Sequence, residues 1–221
     1  MTGDNWFANG TVEAALERAR AERKPVLVDF WHPTCLGCAR LAATTYPAEP
    51  VRQLLAEEFV CIKYKTTEPN DWYRQLNGRV AHIWHPHLVV MDHRTVEGRR
   101  FVGYQGVEAL LAQLRLGAGV LEMYARRFDR ANRQFTLARS YPVAGDLTAE
   151  SLYWLGVAAY RLEGRSGLER HWEELQRDHG GTSWAARADC LDVEIPEEGF
   201  DPDDPATVRL RDRQPSVLTV R

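Results

Sequence analysis

The chain has 221 residues, a formal net charge of −3 and 44% hydrophobic residues. That balance excludes a general basic field for nucleic acid and fits a chain with an apolar core, in one large domain or two small ones. No apolar run reaches the ~18–20 residues that cross a bilayer. The opening MTGDNWFANG lacks a leader pattern, and four cysteines are too few for a disulfide-stapled secreted scaffold, so a cytoplasmic protein with neither nucleic-acid nor membrane partner is expected.

From Thr11 to Glu22, Val12, Ala15, Leu16 and Ala19 recur at helical spacing, which predicts a helix with Thr11 as its cap. Val26–Phe30 is short, apolar and β-branched, as a strand buried on both faces would be, with Asp29 interrupting it. Cys35 and Cys38 follow. Leu41, Ala42 and Thr45 continue from Cys38 at helical spacing, placing the second cysteine inside a helix and the first at its N-terminus. EPVRQLLAEEF predicts another short helix. VCIKYK alternates, with Val60, Ile62 and Tyr64 on one side and Cys61, Lys63 and Lys65 on the other. After a loop, HLVVMD and RRFVGY predict a β-hairpin, and GVEALLAQLRLG a closing helix. The order implies an α/β unit, a mixed sheet flanked by helices, over residues 1–118.

Beyond Ala118 the strand signal stops. VLEMYARRFDRANRQFTLARSYP and AESLYWLGVAAYRLEG are helical, and TSWAARAD starts a further helix. Ala131, Phe135 and Ala138 are matched, 37 positions on, by Leu168, Trp172 and Leu175. An all-α domain of helical hairpins is expected over 119–190. The remaining 191–221, acidic and proline-rich and then basic, is expected to be an extended tail able to add a strand.

Two cysteines at Cys-x-x-Cys spacing on a strand-to-helix junction suit dithiol chemistry. The first sits where unpaired backbone N–H groups favour a thiolate, and the second lies close enough to attack a mixed disulfide. Cys35 is the expected nucleophile and Cys38 the resolving thiol. Asp29, costly in an apolar strand without a partner, is the candidate to carry the proton of Cys38. Two other readings stay open: a redox-inactive interaction module, or a zinc or copper site built from Cys35, Cys38, His32 and His85. An imidazolium beside Cys35 would also lower its pKa. Cys61 and Cys190 are expected to be inert.

KPVLVDFWHPTCLGCARL resembles the thioredoxin family, and CARLAATTYPAEPVRQLLAEEFVCIKYKTTE is similar to thioredoxin-like proteins whose site helix leads into a short Pro-x-Val helix. The resemblance spans about residues 10–116. It implies thiol–disulfide oxidoreductase activity with no cofactor beyond a redox-active disulfide, on protein disulfides and with a protein dithiol as reductant. It also implies a cis-proline at Pro86, with His85 offering its backbone to substrate. Thr34, where the family carries Trp, and Trp31 join them as substrate-contacting positions, and His32 and His87 as modulators. Leu36–Gly37 between the cysteines also departs from the family. The C-terminal helices resemble tetratricopeptide repeats through SLYWLGVAAYRLEG and ANRQFTLARSYP, which implies a partner or dimer surface there.

Overall fold

The computed structural model describes residues 6–78, 82, 84–143 and 145–191, divided between two compact units, Met1–Val143 and Ala144–Arg221. The tail expected from 191 onward lies, past Leu191, outside the described residues.

In the first unit, β1 (Trp6–Phe7) precedes α1 (Val12–Glu22), and β2 (Val26–Trp31) leads into α2 (Leu36–Arg40). A five-residue π-helical turn, Leu41–Thr45, joins α2 towards α3 (Glu49–Glu58), which is followed by β3 (Val60–Lys65) and α4 (Asp71–Asn77). β4 (His87–Met91), β5 (Glu97–Val102), α5 (Val107–Tyr124) and α6 (Phe128–Ser140) complete it. The strands lie in the order β1-β3-β2-β4-β5. β3 runs parallel to β1 and β2, while β4 is antiparallel to β2 and β5. The parallel β2–β3 pair needs a long crossover, and α2 and α3 supply it. Val28 lies opposite both Ile62 and Val89, so β2 is central and buried.

Because strand side chains alternate, β2 serves two cores. Leu27 joins Leu41, Leu54, Leu88 and Leu114 on one face. Val26, Val28 and Phe30 join Val12, Ile62 and Tyr73 on the other. Asp29 therefore falls on the Leu27 face, beneath the helices that follow the cysteines.

Some elements differ from expectation. Thr11 gives α1 no side-chain cap; its hydroxyl exchanges hydrogen bonds with Ala8, closing a 3₁₀ turn at Asn9–Thr11. Part of the loop expected before β4 is α4, capped by Asn70, whose side chain accepts from the Tyr73 N–H at 3.0 Å. The boundary expected at 118 falls inside α5, which continues to Tyr124 because Gly117, Ala118 and Gly119 are helix interior, packed on Val90 and Phe135. The helical stretch 120–142 is divided at Ala125–Arg127, where Arg126 takes the left-handed conformation (φ 58°).

The second unit holds α7 (Asp146–Glu163), α8 (Arg165–His179) and α9 (Ser183–Arg187). Ala149, Leu152, Trp172, Leu175, Ala185 and Ala188 form its core. Trp172 stacks on Tyr153, with centroids 5.0 Å apart, and donates its indole N–H to the Tyr153 carbonyl at 3.0 Å. The repeat spacing has a packing basis. Phe135 of α6 lies on Gly119 of α5, and Trp172 of α8 lies on Gly156 of α7. Each partner is 37 positions from its counterpart.

Candidate active site

β2 ends at Trp31, the chain turns, and α2 begins. The turn is closed by the Cys35 N–H donating to the His32 carbonyl at 3.0 Å. Cys35 is the N-cap of α2. The Cys38 N–H donates to its Sγ at 2.9 Å, and the Ala39 N–H to its carbonyl at 3.1 Å. The helix start thus directs a backbone N–H that has no partner within the helix at the first sulfur, the arrangement that stabilises a thiolate once the disulfide is reduced. The two cysteines form a disulfide, with Cα atoms 5.3 Å apart. Cys35 is half-buried, whereas Cys38 is only 6% exposed.

Facing the pair is the loop before β4, in which the His85–Pro86 peptide is cis. Pro86 is buried, and the space beside Gly37 is filled by this loop: a Cβ at Gly37 would stand 2.9 Å from Pro86 Cδ and 3.4 Å from the His85 carbonyl oxygen. A cleft of about 300 Å³ opens beside Cys35, lined by His32, Thr34, Leu36, Gly37, Trp84 and His85. Leu36 is 87% exposed and Trp84 67%, so the cleft has two bare apolar lips.

His32 and His85 bring their rings within 5.8 Å. His32 Nδ1 lies 2.9 Å from the Thr34 hydroxyl, and His85 Nε2 lies 3.2 Å from the Thr66 hydroxyl. Thr66 is fixed in turn by donating to the Trp31 carbonyl, so the end of β2 and the proline loop are tied together. Burial first, and then the neighbouring His32, lowers the pKa of His85 from its usual value, favouring the neutral ring.

Cys35, Thr34, His32 and His85 therefore share one cleft, and Pro86 packs beside Gly37 of its wall. Trp31, Asp29 and His87 do not line it. His87 instead stacks on His82, centroids 4.0 Å apart, and accepts from Arg100 at 3.0 Å. Asp29 is fully buried. Its Oδ2 accepts from the Tyr46 hydroxyl at 3.0 Å and from Lys63 at 3.1 Å, while Oδ1 has no hydrogen-bond partner among the described residues. The π-helical turn after α2 delivers Tyr46 to this position. Burial raises the pKa of the Tyr46 phenol, and the charge on Asp29 raises it further. The same two causes push the buried Cys61 thiol up, so it is a poor nucleophile.

Among the described residues, no group of three or more His, Cys, Asp or Glu is arranged to hold a metal ion, the Cys35, Cys38, His32 and His85 set included. No described helix is long and apolar enough to cross a membrane. Reading along the chain missed Leu36 and Trp84 as cleft walls, and Tyr46, Lys63 and Thr66 as the partners that hold Asp29, Trp31 and His85. The exposed apolar Leu36 between two cysteines was the visible signal; the others are long-range pairings.

Residues 5–93 match the model of a family described as thioredoxin-like. Among solved structures, the chain is similar to the C-terminal domain of Neisseria meningitidis DsbD. To the oxidised form it has 21% identity and a TM-score of 0.40, covering 55% of this chain and 97% of that one. To the reduced form it has 20% identity and a TM-score of 0.40, covering 48% and 92%. No curated protein matches the chain. Over residues 5–93, which hold the cysteine pair, Asp29 and Pro86, the chain is thioredoxin-like in sequence, and the mixed sheet with its flanking helices is thioredoxin-like in fold.

Proposed function

We propose that the protein catalyses thiol–disulfide exchange on protein disulfides. The observation that carries this reading is the asymmetry of the pair: Cys35 caps α2 at the wall of an open cleft, with a backbone N–H on its sulfur, and Cys38 is buried one turn behind it. In the reducing direction, the Cys35 thiolate attacks one sulfur of the substrate disulfide. This forms a mixed disulfide and expels the other substrate sulfur as a thiolate, which takes up a proton. Cys38 then gives up its proton and attacks Cys35 Sγ, which releases the second substrate thiolate and leaves the Cys35–Cys38 disulfide. A partner dithiol reduces that disulfide by the same two steps and is itself oxidised, so no dissociable cofactor is needed.

Cys35 does the attacking because it lines the cleft, whereas Cys38 is buried and does not. Asp29 receives the proton of Cys38, and Lys63 and Tyr46 hold its carboxylate ready through Oδ2. His85 and Pro86 present backbone to an extended substrate strand. Thr34 shapes the approach, and His32 tunes the sulfur through the turn it shares with Thr34. Trp31, outside the cleft, acts only through its carbonyl, which holds Thr66 beside His85.

Reduction of insulin disulfides by a dithiol tests the reading. We expect activity in the native protein and its loss, by a factor of at least about 10², in Cys35→Ser. Cys38→Ser should accumulate a mixed disulfide with the substrate. Native-level turnover by Cys35→Ser would sink the assignment.

A further inference from the structure

The opposite end of the sheet carries a second cavity. β2 and β4 are about 16–20 Å long. The dithiol lies past the end of one and before the start of the other, whereas this cavity lies beside Pro25 and Asp92, at their other ends, and beside Phe59, which precedes β3. Its volume is about 510 Å³, within the range that holds small organic ligands. Its walls bring together Arg20, Arg23, Lys24, Arg94, Arg127 and Arg130, in a chain whose net charge is −3.

Three carboxylates also line it, and each already has a cation. Asp92 pairs with Arg94 at 2.9 Å, Glu58 with Arg115, whose Nη2 lies 2.8 Å from Oε1, and Glu122 with Arg127. Arg20 and Lys24 pair with Glu17 and Glu22 on α1. Arg23 and Arg130 have no ion-pair partner among the described residues. Arg23 is the C-cap of α1 in the left-handed conformation (φ 55°), while Arg130 stands one turn after Arg127 on α6. Two uncompensated guanidinium groups thus converge from different helices on one hollow, and guanidinium forks suit the paired oxygens of a phosphate group. Beside them the wall is apolar: Val96, Leu121 and Tyr124, the last 64% exposed.

We propose that this cavity binds a small organic phosphate, its charged end between Arg23 and Arg130 and its ring or apolar end against Tyr124. The site is independent of the dithiol.

Calorimetric titration of the full chain with inorganic pyrophosphate and with adenosine diphosphate, both without metal, tests it. Both probes should bind at one site, adenosine diphosphate more tightly. Arg23→Asn, which tolerates the left-handed conformation, and Arg130→Gln should each weaken binding at least about tenfold. Tyr124→Ala should remove the advantage of adenosine diphosphate. Arg52→Gln, altered at an exposed Glu49-paired site on α3, and Cys35→Ser should bind as the native chain does. Unchanged unfolding midpoints of the ligand-free variants separate lost binding from lost folding. No binding heat, undiminished binding in Arg23→Asn and Arg130→Gln, or an equal loss in Arg52→Gln would overturn the site. Pyrophosphate binding as tightly as adenosine diphosphate would overturn the organic ligand.

Discussion

A single methyl group distinguishes the site's geometry from its stability. At Gly37 an added Cβ would stand 2.9 Å from Pro86 Cδ, a rigid ring, and 3.4 Å from the His85 carbonyl oxygen. Gly37 lies in α2 with no positive φ, so alanine there gains about 1 kcal/mol of helix propensity, which offsets much of the overpacking. Gly37→Ala should therefore keep the unfolding midpoint within a few degrees while lowering exchange activity several-fold, because the His85–Pro86 loop is pushed off the cysteines. Stopped-flow reduction rates beside a thermal melt check this; native rates would mean that the loop's approach does not matter. Asp29 shows the converse balance. A buried carboxylate costs free energy unless partnered, and here Lys63 and Tyr46 satisfy one oxygen while Oδ1 stays bare among the described residues. In the proposed exchange, the oxygen left bare is where this carboxylate would take up the proton of Cys38.

Between elements, paired glycines and aromatics set how closely helices approach. A Cβ at Gly156 would fall 2.3 Å from Trp172 Cδ1, well inside contact distance, and the indole is held by its stack on Tyr153 and its bond to the Tyr153 carbonyl. Gly156→Ala should cost about 1–3 kcal/mol net by overpacking, despite better helix propensity. Combined with Trp172→Leu, it should cost less than the two single changes added together, since the smaller side chain admits the methyl group. Denaturant melts of the four proteins measure the coupling, and strict additivity would refute the contact. In the first unit Gly119 and Phe135 stand in the same relation.

For the whole molecule, acid is the condition that tests the histidines around the proline loop. Burial first, and then neighbouring His87 and His85, lowers His82 to about 3; burial and then Arg100 lower His87 to about 4. Unfolded, both rings take a proton near pH 6.5. As pH falls from about 6.5 to about 4, the unfolded chain therefore binds protons that the folded one refuses, and stability drops through that window; above it these groups contribute no pH dependence. The thermal midpoint should fall on acidification across this range. His87→Gln, which keeps an acceptor for Arg100, should fall less steeply. A midpoint level from pH 7 to about pH 4.5 would contradict the burial of these rings.

What the chain itself determined is local. Short apolar runs marked β2 and the β4–β5 hairpin, and hydrophobic period marked α3, β3 and the repeated helix pairs, because runs, alternation and helical spacing are properties of neighbours in sequence. The cysteine pair was legible for the same reason: its spacing, the strand before it and the helix after it all lie within one short stretch. α4 was legible in principle, from Asn70 as cap and Gly78 as stop, but too few apolar residues repeat there to show a period. Tertiary structure decided the rest, since it depends on side chains far apart in the chain. Leu27 and Val28 look alike in sequence, yet they serve opposite cores. Tyr46 and Lys63 reach Asp29 only because the β2–β3 crossover folds them over it. His32 meets His85, and Thr66 holds both Trp31 and His85, because the loop before β4 turns back onto the end of β2. The cationic cavity arises because α1 and α6 bring Arg23 and Arg130, more than a hundred positions apart, to the same end of the sheet.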